Sequence, residues 1–163
     1  VSGSLTTLYL RYATDVRLFT KIIAVTWGLS LSAYTIESVM PAVAAVESGH
    51  DYRAVGDGGR AVGAWQVWSV AWDTANDWRV KHRMTPISRR RWREPAAQQS
   101  IGFALLSWHH ERLVANGVPK PTVQQLYLSF SMGHAAFKGI GFNPRLAPAR
   151  KRDAAERVRN LCP

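Results

Sequence analysis

AVAAVESGHDYRAVGDGGRAVGAWQVW, residues 42–68, sets the end of an apolar helix, a glycine-rich loop and a run of tryptophans side by side. Met40, Val43 and Ala44 precede Glu47 by seven, four and three residues, so on a helix this carboxylate projects near their apolar face. Burial there disfavours the charged form and raises the pKa. A carboxylic acid that keeps its proton near neutral pH is what general-acid cleavage of a glycosidic bond requires. Val39, Val43 and Val46 define a competing stripe that leaves Glu47 at its margin, as an ordinary helix-edge glutamate. Helix geometry alone admits both. Asp57 lies ten residues on, within Gly56-Asp57-Gly58-Gly59. Asp-Gly favours tight turns without catalytic duty, and the loop is also long enough to return a second carboxylate over the helix end.

Outward from this stretch the signals are helical. Ser38 is the expected cap of a helix with Pro41 in its first turn, running to about Ser48. Trp65, Trp68 and Trp72 recur at helical spacing and predict a second helix reaching toward Trp78, with Trp68 and Trp72 in the core in preference to serving as sugar-stacking platforms. The basic segment Val80–Arg93, broken by Pro86, reads as a loop. Pro95 opens the longest helix, closed by Asn116-Gly117, with Ile101, Ala104, Leu105 and Trp108 on one face. After Pro119-Lys120-Pro121, Thr122 caps a helix whose stripe is Val123, Leu126, Tyr127 and Phe130. A loop from Gly133 to Pro148 precedes a final helix carrying Ala154, Ala155, Val158 and Leu161. There is no internal repeat and no useful alternating strand pattern. The expected class is mainly α.

The first fifteen residues carry no strong pattern. Arg17 and Lys21 then precede the apolar run IIAVTWGLSLSA, residues 22–33. That run is short of the roughly 20 apolar residues a bilayer span needs. It suits a secretory signal, with Ser30, Ser32 and Ala33 near a cleavage site, and equally a helix packed on the following domain. The division expected is therefore an N-terminal segment, 1–34, and one domain, 35–163.

Composition narrows the function classes. With 47% hydrophobic and 20% charged residues, the 163-residue chain can bury a core, which excludes wholesale disorder. The single cysteine, Cys162, excludes an internal disulfide framework and a cysteine-rich zinc site. His109-His110 and His134 form no metal-ligand pattern, so no metal site is expected. The net charge of +10 favours polyanionic partners: nucleic acid, an anionic membrane surface or envelope polymers. Arg89, Arg90, Arg91 and Arg93 are the densest basic patch, read as a solvated loop or a contact for such a polymer. Nothing in the chain matches a nucleic-acid-binding motif.

Three blocks resemble the lysozyme-like superfamily, on the side of the soluble lytic transglycosylases and goose-type lysozymes. Glu47-Ser48 is similar to the Glu-Ser that ends the family's catalytic helix. Gly63-Ala64-Trp65-Gln66-Val67 is similar to its Gly-Leu-Met-Gln-Ile block, whose glutamine lines the sugar cleft. Leu126–Gly133 (LYLSFSMG) resembles the Ala-Tyr-Asn-x-Gly block more loosely, and the likeness spans residues 38–161. Ser129-Phe130-Ser131 departs from Ala-Tyr-Asn, which removes the family's tyrosine hydroxyl at that register. Tyr127, one turn before Phe130, is the candidate substitute.

The resemblance implies a helical domain with a glycan cleft. In it Glu47 is the acid/base of a peptidoglycan lytic transglycosylase, with Ser48, Gln66, Tyr127 and Phe130 toward substrate. A lone glutamate implies a 1,6-anhydro-muramoyl product and no cofactor. A hydrolysing muramidase using Glu47 and Asp57 is the alternative within the enzyme class. The departures at Phe130 and Ser131 also admit a non-catalytic peptidoglycan-binding or virion structural module. The implied setting is the periplasm, the cell envelope or outside the cell, or a phage virion with assembly partners of its own.

Overall fold

The computed structural model describes residues 34–162. The expectations for the signal-like or packing segment, residues 1–33, lie outside the described residues. Six α-helices and one minimal hairpin make up the described part, which is mainly α.

Helix α1, Ile36–Ser48, starts earlier than the sequence suggests. Thr35 is its cap, and Ser38 completes a reciprocal capping box. Thr35 Oγ1 accepts the Ser38 N–H at 3.2 Å, and Ser38 Oγ accepts the Thr35 N–H at 3.2 Å. Pro41 therefore sits inside the helix, exposed, where it costs one ladder bond. Gly49, at φ 66°, ends the helix with its N–H on the Ala45 carbonyl at 3.0 Å.

Strands β1, Val55–Gly56, and β2, Ala61–Val62, pair antiparallel around a 3₁₀ turn at Asp57–Gly59. The tryptophan helix differs from expectation. Helix α2 covers Ser69–Lys81, so Trp65 and Trp68 precede it. The chain turns instead at Gly63, φ 75°, and Gln66, φ 48°, and Val62 and Val67 exchange backbone hydrogen bonds across that turn. The i, i+3, i+7 spacing thus straddles two local structures. Trp65 is core, its indole N–H on the Met40 carbonyl at 3.2 Å, and Trp72 is core, its N–H on the Ile87 carbonyl at 2.7 Å. Trp68, at 38% exposure, is not.

Helix α3, Pro95–Ala115, opens on its proline as expected and buries Ile101, Ala104 and Leu105. From its first turn the buried Gln98 reaches the glycine loop, accepting the Ala64 N–H at 2.7 Å and donating to the Tyr52 carbonyl at 2.7 Å. A side chain at position 63 would place Cβ 2.1 Å from Gln98 Oε1, so glycine is required there for space as well as for φ.

Helix α4, Val123–Met132, carries the expected Thr122 cap, with Gln125 closing the box. The segment read as a loop from 133 to 148 holds a short helix α5, His134–Gly139, and a 3₁₀ turn at Pro144–Leu146. Phe137 on α5 is fully buried, and that anchor is what makes a helix of a glycine-punctuated stretch. Helix α6, Ala149–Leu161, buries Ala154, Ala155 and Val158, whereas Leu161 stays 56% exposed. The basic segment is helical through Lys81 and turns in a 3₁₀ step at Arg89–Arg91.

Helix α4 packs on α3, α5 and α6, and α6 packs on α1. Val39, Val43, Ile101, Leu126, Leu128 and Val158 have no exposed surface at the centre of this arrangement. Losing a side chain of this kind, as in Leu126→Ala, costs about 2–5 kcal/mol. The same packing brings the last turn of α1, the middle of α4 and the face of α6 around one opening.

Candidate active site

That opening is a cavity of about 810 Å³. Glu47 and Asp57 are the carboxylates in its wall, with Gln66, Trp68, Trp108, His109, Tyr127, Phe130 and Ser131 also lining it, and Arg150, Lys151 and Arg157 along one side.

Glu47 is half-buried in the last turn of α1. Burial pushes its carboxyl above the ordinary 4.5, and the nearby Asp57 charge adds to the rise. The Tyr127 hydrogen bond and the Lys151 and Arg157 cations act the other way. Tyr127 Oη donates to Glu47 Oε1 at 2.7 Å. The Tyr127 phenol is itself pushed up, first by burial and then by the Glu47 charge, so it stays a donor. With Oε1 accepting from Tyr127, Oε2 is the oxygen left to carry a transferable proton.

Asp57 occupies the turn at φ 49°, followed by Gly58 at φ 64°. Its Oδ2 accepts the Trp68 indole N–H at 3.1 Å, and the Arg60 guanidinium lies over the Trp68 ring, 4.6 Å from the centroid. The loop therefore folds back over the end of α1, with its carboxylate in the same cavity as Glu47. Gln66 lies beside it, donating Nε2–H to the Gly63 carbonyl at 3.0 Å. A Cβ at Gly56 would come within 2.1 Å of Gln66 Oε1, so the glycine lets the hairpin close on that amide.

The residues singled out from sequence thus divide. Glu47, Asp57, Gln66, Tyr127 and Phe130 share the cavity. Ser48 does not line it: its hydroxyl donates to the Ala64 carbonyl at 2.9 Å and accepts the Asp51 N–H at 3.0 Å, tying the helix end to the loop. Tyr127, the candidate substitute for the missing family tyrosine, is the residue in contact with Glu47.

Sequence reading missed the cationic side. Arg150 and Arg157 are seven residues apart and share a face of α6, a signal the alanine stripe obscured. Lys151 Nζ donates to the Ser131 carbonyl at 2.8 Å, which pins it at the edge of the cavity. The sequence shows for His109 only the lack of a metal-ligand pattern. His109 is buried within α3, with Nδ1 2.8 Å from Ser129 Oγ.

None of the four patch arginines is among these lining residues. Arg91 is bound by both oxygens of Glu94 at 2.6–3.0 Å, and Arg93 stacks on Trp92 at 4.6 Å. Arg89 donates to the Arg60 carbonyl at 3.3 Å, and Arg90 is exposed. Among the described residues no cluster of three or more metal-ligating side chains occurs, and no helix is long and apolar enough to cross a membrane. Compared with protein-family models, curated proteins and solved structures, the chain matches none of them.

Proposed function

We propose that this helical domain is lysozyme-like and cleaves the β-1,4 bond between N-acetylmuramic acid and N-acetylglucosamine in peptidoglycan, as a lytic transglycosylase. The observation that carries this reading is Glu47: a half-buried carboxyl with a raised pKa, facing an open cavity and held by the Tyr127 hydroxyl. The Glu47 proton passes to the glycosidic oxygen as the C1–O bond breaks, leaving an oxocarbenium-like sugar and a carboxylate. That carboxylate takes the proton of the C6 hydroxyl while O6 bonds to C1. The product is a 1,6-anhydro sugar, and the acid is restored. No cofactor enters these steps.

Position near the bond, and not added chemistry, is what the other residues supply. Tyr127 fixes the carboxyl orientation, and Lys151 and Arg157 stabilise the carboxylate formed midway. The cation side also favours a glycan that carries anionic groups. The setting that fits is a cell envelope or a phage particle that opens one.

A second reading rests on Asp57. It lies in the same cavity and bears on Glu47 electrostatically, as a second carboxylate would in a hydrolysing muramidase. Mass spectrometry of muropeptides released from purified sacculi separates the two. Anhydro ends support transglycosylation, reducing ends support hydrolysis, and no release supports a module that only binds.

A further inference from the structure

Beside Phe130, His109 and His134 both line the cavity and are joined by a chain of hydrogen bonds. His109 Nδ1 lies 2.8 Å from Ser129 Oγ, Ser129 Oγ lies 3.2 Å from His134 Nδ1, and His134 Nε2 lies 3.4 Å from Asn116 Nδ2. Asn116 Nδ2 also donates to the Arg112 carbonyl at 2.7 Å, which identifies it as the amide nitrogen. Its remaining hydrogen makes His134 Nε2 an acceptor. His134 then carries its proton on Nδ1 and donates it to Ser129 Oγ. Ser129 has one hydrogen, and His109 Nδ1 at 2.8 Å is the acceptor in reach that lets the hydroxyl both accept and donate. The order that uses every donor in the chain places the proton of His109 on Nε2, and the reversed order would set two donors against each other at Asn116.

His109 Nε2 makes no hydrogen bond among the described residues, yet the ring is 5% exposed and forms part of the cavity wall. An N–H on this wall meets only cavity solvent, so a ligand acceptor entering the cavity can take the place of that water. Burial, aided by His134, depresses the imidazole pKa to about 3, so the ring is neutral and suits an uncharged acceptor. Its surroundings are apolar rings: Trp108 packs edge-on at 4.8 Å and Phe130 at 6.0 Å.

We infer that His109 Nε2–H binds the acetamido carbonyl of an N-acetylated sugar, with the Trp108 and Phe130 faces taking its methyl group. This rests on the glycan reading of the same cavity. His109 touches the ligand, whereas Ser129, His134 and Asn116 are positioning residues that act by fixing the tautomer.

Long-range nitrogen–proton correlation spectra of the labelled full chain read the tautomer directly. The Nε2–H form of His109 is expected, and the Nδ1–H form overturns the inference. A tetramer of N-acetylglucosamine should then shift His109 Nε2 more than any other histidine nitrogen, and a glucosamine tetramer should leave it in place. His109→Phe should weaken the acetylated tetramer about tenfold, equivalent to ~1.4 kcal/mol, without changing affinity for the glucosamine tetramer. His109→Gln, which can present an amide N–H at similar reach, should recover part of the loss. If the Trp68 indole signal moves with the acetylated tetramer while His109 stays fixed, the glycan reading survives and the role of His109 falls. If neither moves, both fall.

Discussion

Tyr127 Oη and Glu47 Oε1 are 2.7 Å apart, joining the middle of α4 to the last turn of α1 across 80 residues of chain. The donor favours the ionised carboxyl, so Tyr127→Phe raises the Glu47 pKa further. A general acid works only while protonated, and its rate falls as pH rises through its pKa. The basic limb of the pH–rate profile should therefore move to higher pH in Tyr127→Phe, with the maximal rate about tenfold lower from lost orientation. An unmoved limb would mean that the titrating acid is another group.

Burial of Glu47 also sets a stability signature. Its folded-state pKa lies above the ordinary 4.5, so the folded state binds that proton more tightly than the unfolded chain does. The resulting stability is complete below pH 4.5 and is lost as pH rises through the raised value. Glu47→Gln removes this dependence. Denaturant titrations should find the variant more stable than the parent at neutral pH, with the gap closing as pH falls toward 4.5. A gap that widens on acidification contradicts the buried-acid account.

How far the sequence carried these conclusions depends on which residues spoke locally. Thr122 as a cap, Pro95 at a helix start and the Asp57-Gly58 turn are local signals, and each element they mark is present. Glu47 and Tyr127 were both legible as candidates, but their contact was not, because it depends on α6 holding α4 against α1. The tryptophan spacing misled since periodicity cannot show that Gly63 and Gln66 turn the chain between Trp65 and Ser69. Helix α5 was hidden for the opposite reason: Phe137 anchors it through tertiary burial, with glycines on both sides. The tautomer of His109 needs four residues from three segments and leaves no pattern in sequence.

Attachment to the wall should be salt-sensitive. A charge of +10 acts over a Debye length of ~10 Å at 0.1 M salt, so binding to anionic sacculi weakens as salt rises. Replacing Arg89, Arg90, Arg91 and Arg93 with Ser should flatten that profile without slowing cleavage of short soluble glycans. Arg91, already held by Glu94, should account for less of the change than exposed Arg90. Sedimentation of sacculi across a salt series checks this, and an unchanged slope would assign the patch to solvent alone.

Asp57→Asn separates turn chemistry from catalysis. Asparagine tolerates the φ of 49° and its carbonyl can accept the Trp68 N–H, so the loop should keep its shape. Removing the charge lowers the Glu47 pKa and moves the basic limb of the rate profile to lower pH. Most activity should remain, with anhydro products. Loss by orders of magnitude, with reducing-end sugars from the parent, would instead make Asp57 the second catalytic carboxylate.

The most direct test of the central claim is the rate at which purified sacculi are solubilised by the parent chain and by Glu47→Gln. Glutamine keeps the shape and loses the transferable proton, so the account predicts a folded variant at least about 10²-fold slower. Near-parental turnover by folded Glu47→Gln, or no solubilisation by the parent itself, would contradict it.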